Sequence, residues 1–259
     1  MALPVPAAPS LGFIAVWRRN LRVWRKLMLP SLMGNFGEPL LYLLALGYGF
    51  GRLVGEVDGM AYPVFLASGI VCSSAMTGAS FEALYSAYTR MQMQQTWAAM
   101  MTAPLEVEDV VLGEVLWAAS KALLNSTAIL VVASLLGLVG GWSAFLALPV
   151  VLLVGTCFAA MAMVVTAVAR SYDFFLYYFT LLMTPMLLLS GVFFPLESLP
   201  AAVASAVQFL PLAHAVALIR PLMSGEWPSS VALHLAVPAA YAVAAWCAAA
   251  VLLRRRLVS

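Results

Sequence analysis

The sequence predicts an all-α polytopic membrane protein with six transmembrane helices, an N-terminal amphipathic interfacial helix, and extracytoplasmic re-entrant helices between spans five and six. Three observations predict it. Only 9% of the residues are charged and 64% are hydrophobic, whereas a soluble domain carries about 25% charge, so a bilayer must be the main solvent. Six segments hold the roughly 20 largely apolar residues needed to cross the hydrocarbon core. Ten of the thirteen Lys and Arg residues flank those segments at ends that an even number of crossings puts on one side.

The elements follow in order. Residues 10–26, "SLGFIAVWRRNLRVWRK", set Phe13, Val16, Trp17, Leu21 and Trp24 on one helical stripe, with Arg18, Arg22 and Arg25 largely opposite. That is the pattern of a helix lying at the headgroup level. Span one covers about 27–50 and is interrupted by Asn35 and Glu38; span two covers 62–81, span three 110–137, span four 142–169, span five 174–194 and span six 231–253. Arg18, Arg19, Arg22, Arg25 and Lys26 precede the first span, Arg90 follows the second, Arg170 separates the fourth and fifth, and Arg254, Arg255 and Arg256 follow the sixth. The positive-inside rule then makes both termini cytoplasmic.

Several function classes lose their footing on composition. A mean hydropathy of +1.00 and a net charge of +2 without a basic stripe give no basis for a nucleic-acid partner. Cys72, Cys157 and Cys247 are odd in number, lie in apolar runs and form no CxxC pair, so they read as small buried hydrophobes. The first basic residue is Arg18, behind a long uncharged stretch, which is not the order of a cleavable signal, and the N-terminus is expected to be retained. His214 and His234 read as too far apart, and too poor in neighbouring carboxylates, to hold a metal. Ser68, Ser73 and Ser74 sit in no nucleophile elbow.

The run "TWAAMMTAPLEVEDVVLGE" (96–114) breaks the apolar pattern, with Glu106, Glu108, Asp109 and Glu114 close together. In the predicted topology it lies in the cytoplasmic loop between spans two and three. Met93, Trp97, Met100 and Met101 share a helical face there, and Pro104 ends or restarts the helix. Glu106, Glu108 and Asp109 fall in the first turn of span three, where the helix dipole favours carboxylates. A short amphipathic helix with Met and Trp is either a surface resting on the bilayer or a docking face for a cytosolic partner. No phosphate loop occurs in the chain; the dipeptide Gly-Lys is absent. An ATPase driving transport would therefore be another chain.

Ionisable groups inside spans are functional candidates, because charge at the bilayer centre is costly. Glu38, Glu82 and Lys121 qualify. Lys121 is expected to pair with Glu38 or Glu82 on another helix, either as an ion-pair lock or as part of a polar route. Glu114 is expected near the headgroups with no special role. Tyr42, Tyr48 and the aromatic run from Phe174 to Phe179, including Tyr177 and Tyr178, are candidates for stacking on sugar rings or for packing. Between spans five and six, residues 195–228 are apolar yet broken by Pro195, Pro200, Pro211, Pro221 and Pro228, which suits short re-entrant helices better than a span or an exposed loop.

Two stretches, "LSGVFFPLESLP" and "FLPLAHAVALIRPL", strongly resemble the end of the fifth span and the re-entrant region of ABC-2 type transporter permeases. The matching residues are Gly191, Phe193, Phe194, Pro195, Pro200, Leu210, Pro211 and Arg220. Nearer the start, "WRRNLRVWRKL", "GNFGEPLLYLLALGYGFG" and "FEALYSAYTRMQMQQTWAAMMTAPL" look like the nodulation protein J group of lipooligosaccharide export permeases. The resemblance covers essentially the whole chain. It implies a single transmembrane domain over 1–259 in the bacterial inner membrane and a second copy of the chain. It also implies a separate nodulation protein I-like ATPase that binds ATP and Mg. Residues 90–105 become the cytosolic coupling helix, with Met93, Gln94, Trp97, Met100, Met101 and Pro104 as contacts. This chain would hold no cofactor, metal or catalytic residue. The implied cargo is an amphipathic lipid-linked saccharide; the alternative is a drug or small-molecule exporter. A stand-alone secondary transporter would be expected to show an internal repeat, and residues 27–137 and 142–253 show no convincing one. An intramembrane enzyme would need a paired nucleophile and base.

Overall fold

The computed structural model describes residues 8–26, 28, 37 and 40–258. Glu38, with residues 27, 29–36 and 39 of the predicted first span, lies outside the described residues. In chain order the helices are α1 (Phe13–Arg25), α2 (Leu40–Phe50), α3 (Tyr62–Met93), α4 (Thr96–Met100), α5 (Val107–Leu135), α6 (Trp142–Val168), α7 (Asp173–Leu189), α8 (Ala201–Val207), α9 (Pro211–Ser224) and α10 (Val231–Val258). A small hairpin pairs β1 (Glu56–Val57) with β2 (Met60–Ala61) just before α3. Its turn residues Asp58 and Gly59 both have positive φ, 52° and 72°, the geometry for which Asp-Gly is favoured.

Among the described residues the regular structure is all helical apart from that hairpin. Helices α3, α5, α6 and α10 are long and apolar enough to cross a membrane, while α2 and α7 are shorter apolar helices and α8 and α9 form a pair bent by 87°. Helix α3 is longer than the predicted 62–81. It continues through two π-helical stretches, Glu82–Ser86 and Thr89–Met93, because the charges on those turns find partners inside the protein. Helix α7 stops at Leu189, short of the predicted 194, since Gly191 turns the chain with φ of 77°.

Helices α3, α5 and α6 pack on one another, α10 lies along α6, and α9 rests against α3, α6 and α10. Small residues set the spacing. A Cβ on Gly155 of α6 would stand 3.2 Å from the Ala119 Cα of α5, the close approach that small residues permit between apolar helices. The predicted stripe of α1 is its packed face: Val16 and Asn20 are buried, while Arg18, Arg22 and Arg25 are exposed. It lies across α5, where a Cβ on Gly113 would meet Val16 Cβ at 2.6 Å. The Trp17 indole donates to Ser120 Oγ at 3.0 Å, and Trp24 meets Trp117 edge-on with centroids 5.9 Å apart.

At the other end of the bundle the α5–α6 connection is tied to the end of α9. The Gly140 N–H donates to the Met223 carbonyl at 2.7 Å and Ser143 Oγ donates to the Leu222 carbonyl at 2.7 Å.

Candidate functional site: a buried ion network beneath the 94–105 loop

Glu114, Trp117 and Lys121 are spaced three and four apart, so one face of α5 presents an acid, an indole and an amine to α3. Helix α3 answers with Glu82 and Arg90, two turns apart. Lys121 Nζ lies 2.7 Å from Glu82 Oε2, and Arg90 Nη2 lies 2.9 Å from Glu82 Oε1. Arg90 Nε donates to Glu114 Oε1 at 3.0 Å. The Trp117 indole donates to Glu82 Oε1 at 2.9 Å. Two acids and two bases thus form a neutral, buried chain that links α3 to α5 at two levels. Pairing with good hydrogen bonds is what makes buried charge tolerable.

Lys121 therefore has one of its two expected partners, Glu82. Glu114 corrects the expectation of a headgroup-level acid without a role: it is 1% exposed and holds both Arg90 and the loop. Arg90, read only as an orientation marker, is the residue that joins the two carboxylates. Its position eight after Glu82 on an extended helix was the available signal.

The loop itself differs from the expected coupling helix over 90–105. Residues 90–93 still belong to α3, and Gln95 reverses the chain with φ of 50°, leaving the five-residue α4. Met93 and Trp97 consequently do not share a face. Met93 is 70% exposed, whereas Trp97 is completely buried and donates its indole N–H to Glu114 Oε1 at 3.1 Å. Trp97 is an anchor beneath the loop and cannot itself be a contact surface. Gln94 and Pro104 are exposed, and Met100 and Met101 are half-buried.

Beyond the loop, Glu106 caps α5 in a reciprocal capping box with Asp109. The same turn gathers both ends of the described chain. Ser10 Oγ donates to Asp109 Oδ2 at 2.8 Å, and Arg254 Nη1 donates to Glu108 Oε1 at 2.8 Å. Arg256 Nη1 donates to the Thr166 and Ala167 carbonyls at 3.1 and 2.9 Å, satisfying groups that the end of α6 would leave open.

Among the aromatic candidates, Tyr177 is exposed and Tyr178 is buried, with Tyr178 packing against Phe179. Tyr42 is exposed on α2 and faces Phe193 at 6.5 Å. The sequence reading missed their partners on α3. Phe81 stacks on Tyr85 at 4.9 Å, Tyr85 and Tyr88 each meet Phe175 edge-on, and Tyr88 meets Tyr172. The i, i+4 spacing of Phe81 and Tyr85 carried that signal.

The predicted re-entrant motif converges on Arg220. Its Nη2 donates to the Gly191 carbonyl at 2.6 Å and its Nε to Ser68 Oγ at 3.1 Å. The guanidinium sits 3.6 Å over the Phe65 ring. Phe194 is half-buried, Pro195 precedes a 3-10 turn (Leu196–Ser198), Pro200 caps α8, and Pro211 opens α9. His214 and His234 correct the expectation that they stand apart. Their Nδ1 atoms are 2.8 Å from each other, and His214 Nε2 donates to the Gln208 carbonyl at 2.7 Å. Among the described residues no group of three or more His, Cys, Asp or Glu is arranged to hold a metal ion.

An apolar helical bundle, a capped loop anchored to two helices, and a proline-broken segment pinned by Arg220 are the architecture of a polytopic membrane protein. The sequence matches the ABC-2 type transporter family over residues 11–223, and the chain belongs to that family. It is 47% identical over 258 residues to nodulation protein J of Rhizobium leguminosarum bv. viciae, covering 100% of both chains. It is 49% identical over 249 residues to nodulation protein J of Rhizobium leguminosarum bv. trifolii, covering 96% and 95%. A more distant likeness is the inner membrane transport permease YadH of Escherichia coli strain K12, 26% identical over 186 residues, 70% and 69% of the two chains.

Proposed function

We propose that the chain is the membrane-spanning permease subunit of an ATP-driven exporter, acting as two copies with two separate P-loop ATPase subunits. Its cargo is a lipooligosaccharide or similar amphipathic glycolipid, moved out of the cytoplasm. In this reading α1, the 94–105 loop and the C-terminal arginines face the cytoplasm across the bacterial inner membrane. Residues 27–50 and α7 complete six crossings, and α8 with α9 dips back into the outer leaflet. ATP and Mg act on the partner, and the chain before us contributes no catalytic group.

The observation that carries the reading is an exposed loop fixed from beneath. Met93, Gln94 and Pro104 face outward, while Trp97 is bonded to Glu114 and through it to Arg90. A push on the loop reaches α3 and α5 together, because the network between them is buried and rigid. The full-length likeness to nodulation protein J chains supports the choice of cargo.

The test is co-purification with a candidate nodulation protein I-like ATPase, reconstitution, and measurement of ATP-coupled export. Met93→Asp and Met100→Asp are expected to uncouple ATP hydrolysis from transport while the permease stays folded. Coupled export unchanged in both variants would remove the loop from the mechanism. Comparing lipid extracts of a deletion strain with its parent assigns the cargo; unchanged glycolipids with altered drug tolerance would replace this cargo with a small molecule.

A further inference from the structure

Between α1, α3 and α5 lies a cavity of about 300 Å³ whose lining includes Arg19, Asn20, Trp24, Glu82, Arg90 and Lys121. Its charge does not balance. Arg90 and Lys121 are neutralised by Glu82 and Glu114, which leaves the Arg19 guanidinium in excess. Arg19 makes no ion pair among the described residues; its Nη1 donates to Asn20 Oδ1 at 2.9 Å. Burial and the neighbouring Arg90 pull Arg19 below its ordinary value, against an opposing pull from Glu114.

A second, independent observation is Asn20. It is 3% exposed, and its Nδ2, with two N–H donors, has no hydrogen-bond partner among the described residues. Buried amide donors are almost always paired, so one that lines a cavity is a donor awaiting a ligand. The ammonium of Lys121 has three donors, of which one points at Glu82. Val23, Trp24 and Trp117 supply an apolar wall beside these donors. One surplus positive charge, several convergent donors and an adjoining apolar face suit a monoanion with several acceptor oxygens that is itself part of an amphiphile.

We propose that this cavity binds a phosphate monoanion, supplied by the headgroup of an anionic phospholipid or by free phosphate. Arg19 and Asn20 hold the phosphate oxygens, and Trp24 and Trp117 cover the apolar part of a lipid ligand. The site shares Glu82, Arg90 and Lys121 with the network beneath the loop, and a bound anion would fasten α1 to the bundle.

The experiment measures thermal unfolding and native mass spectra of the full chain in neutral detergent at constant ionic strength. Its arms are phosphatidylglycerol, phosphatidylcholine and sodium phosphate. The expected result is a saturable rise in Tm and a one-to-one adduct with phosphatidylglycerol, absent with phosphatidylcholine. Arg19→Gln and Asn20→Leu should each weaken binding about tenfold. Asn20→Leu removes the orphan donor at similar volume, so it retains the fold. Arg25→Gln, an exposed arginine on the same helix, should stay within twofold of the parent. Saturation by sodium phosphate alone, lost in Asn20→Leu, confirms the site and assigns it to free phosphate. The proposal is overturned if neither anion saturates, if Asn20→Leu binds like the parent, or if Arg25→Gln weakens binding as much as Arg19→Gln.

Discussion

Replacing Arg90 with methionine tests the network most directly. Arg90 is 13% exposed at its side chain, and the carboxylates it joins, Glu82 and Glu114, are 4% and 0% exposed. Without the guanidinium, Glu82 keeps Lys121 and the Trp117 indole, but Glu114 keeps the Trp97 indole as its remaining hydrogen bond among the described residues. Removing one partner of a buried ion pair costs about 3–5 kcal/mol, because the charge left behind is neither solvated nor paired. For a chain of this size each kcal/mol moves Tm by about 2–4 °C, so Arg90→Met should melt roughly 10 °C below the parent. Adding Glu114→Gln restores neutrality and should recover part of the loss, with a coupling of about 0.5–3 kcal/mol. Thermal unfolding of the three variants and the parent in one detergent closes the cycle. A loss below about 1 kcal/mol for Arg90→Met, or a double variant no more stable than the single, would refute the account of the network.

Three further outcomes follow from close contacts. Gly69→Ala should destabilise by about 1–3 kcal/mol, since its Cβ would stand 2.4 Å from the Val192 carbonyl oxygen; a Tm equal to the parent would show that the turn after α7 yields freely. Arg220→Lys keeps the charge but cannot bond Gly191 and Ser68 while covering Phe65, and should cost about 1.5–3 kcal/mol in chemical unfolding. His214→Leu and His234→Leu should show a coupling of about 1 kcal/mol in a double-mutant cycle at neutral pH. A coupling indistinguishable from zero would rule out the shared hydrogen bond.

The all-α membrane architecture was legible because apolar run length and scarcity of charge report directly on the bilayer. The stripe of α1 was legible too, since the spacing of Val16, Trp17 and Trp24 is fixed by helix geometry whatever the partner. Of the features set by a long-range partner, the Lys121–Glu82 pair was within reach because ionisable groups inside the spans are few; others resisted. The burial of Trp97 depends on the left-handed turn at Gln95, which no local pattern of that Gln-Gln pair announces. The meeting of His214 and His234 depends on the 87° bend between α8 and α9, which folds α9 against α10. Glu114 looked like an interfacial acid because Arg90 seemed to lie past the end of its helix.

The opening turn of α5 has a consequence for how the molecule is made. Asp109 is clasped by Ser10 and Glu108 by Arg254, so two neighbouring acids are held by segments 99 residues before and 146 residues after them. The Arg254 bond can form only once the helices between α5 and the end of α10 have been made. Replacing Arg254 would therefore loosen the first turn of α5, with the damage appearing far from the substitution in sequence.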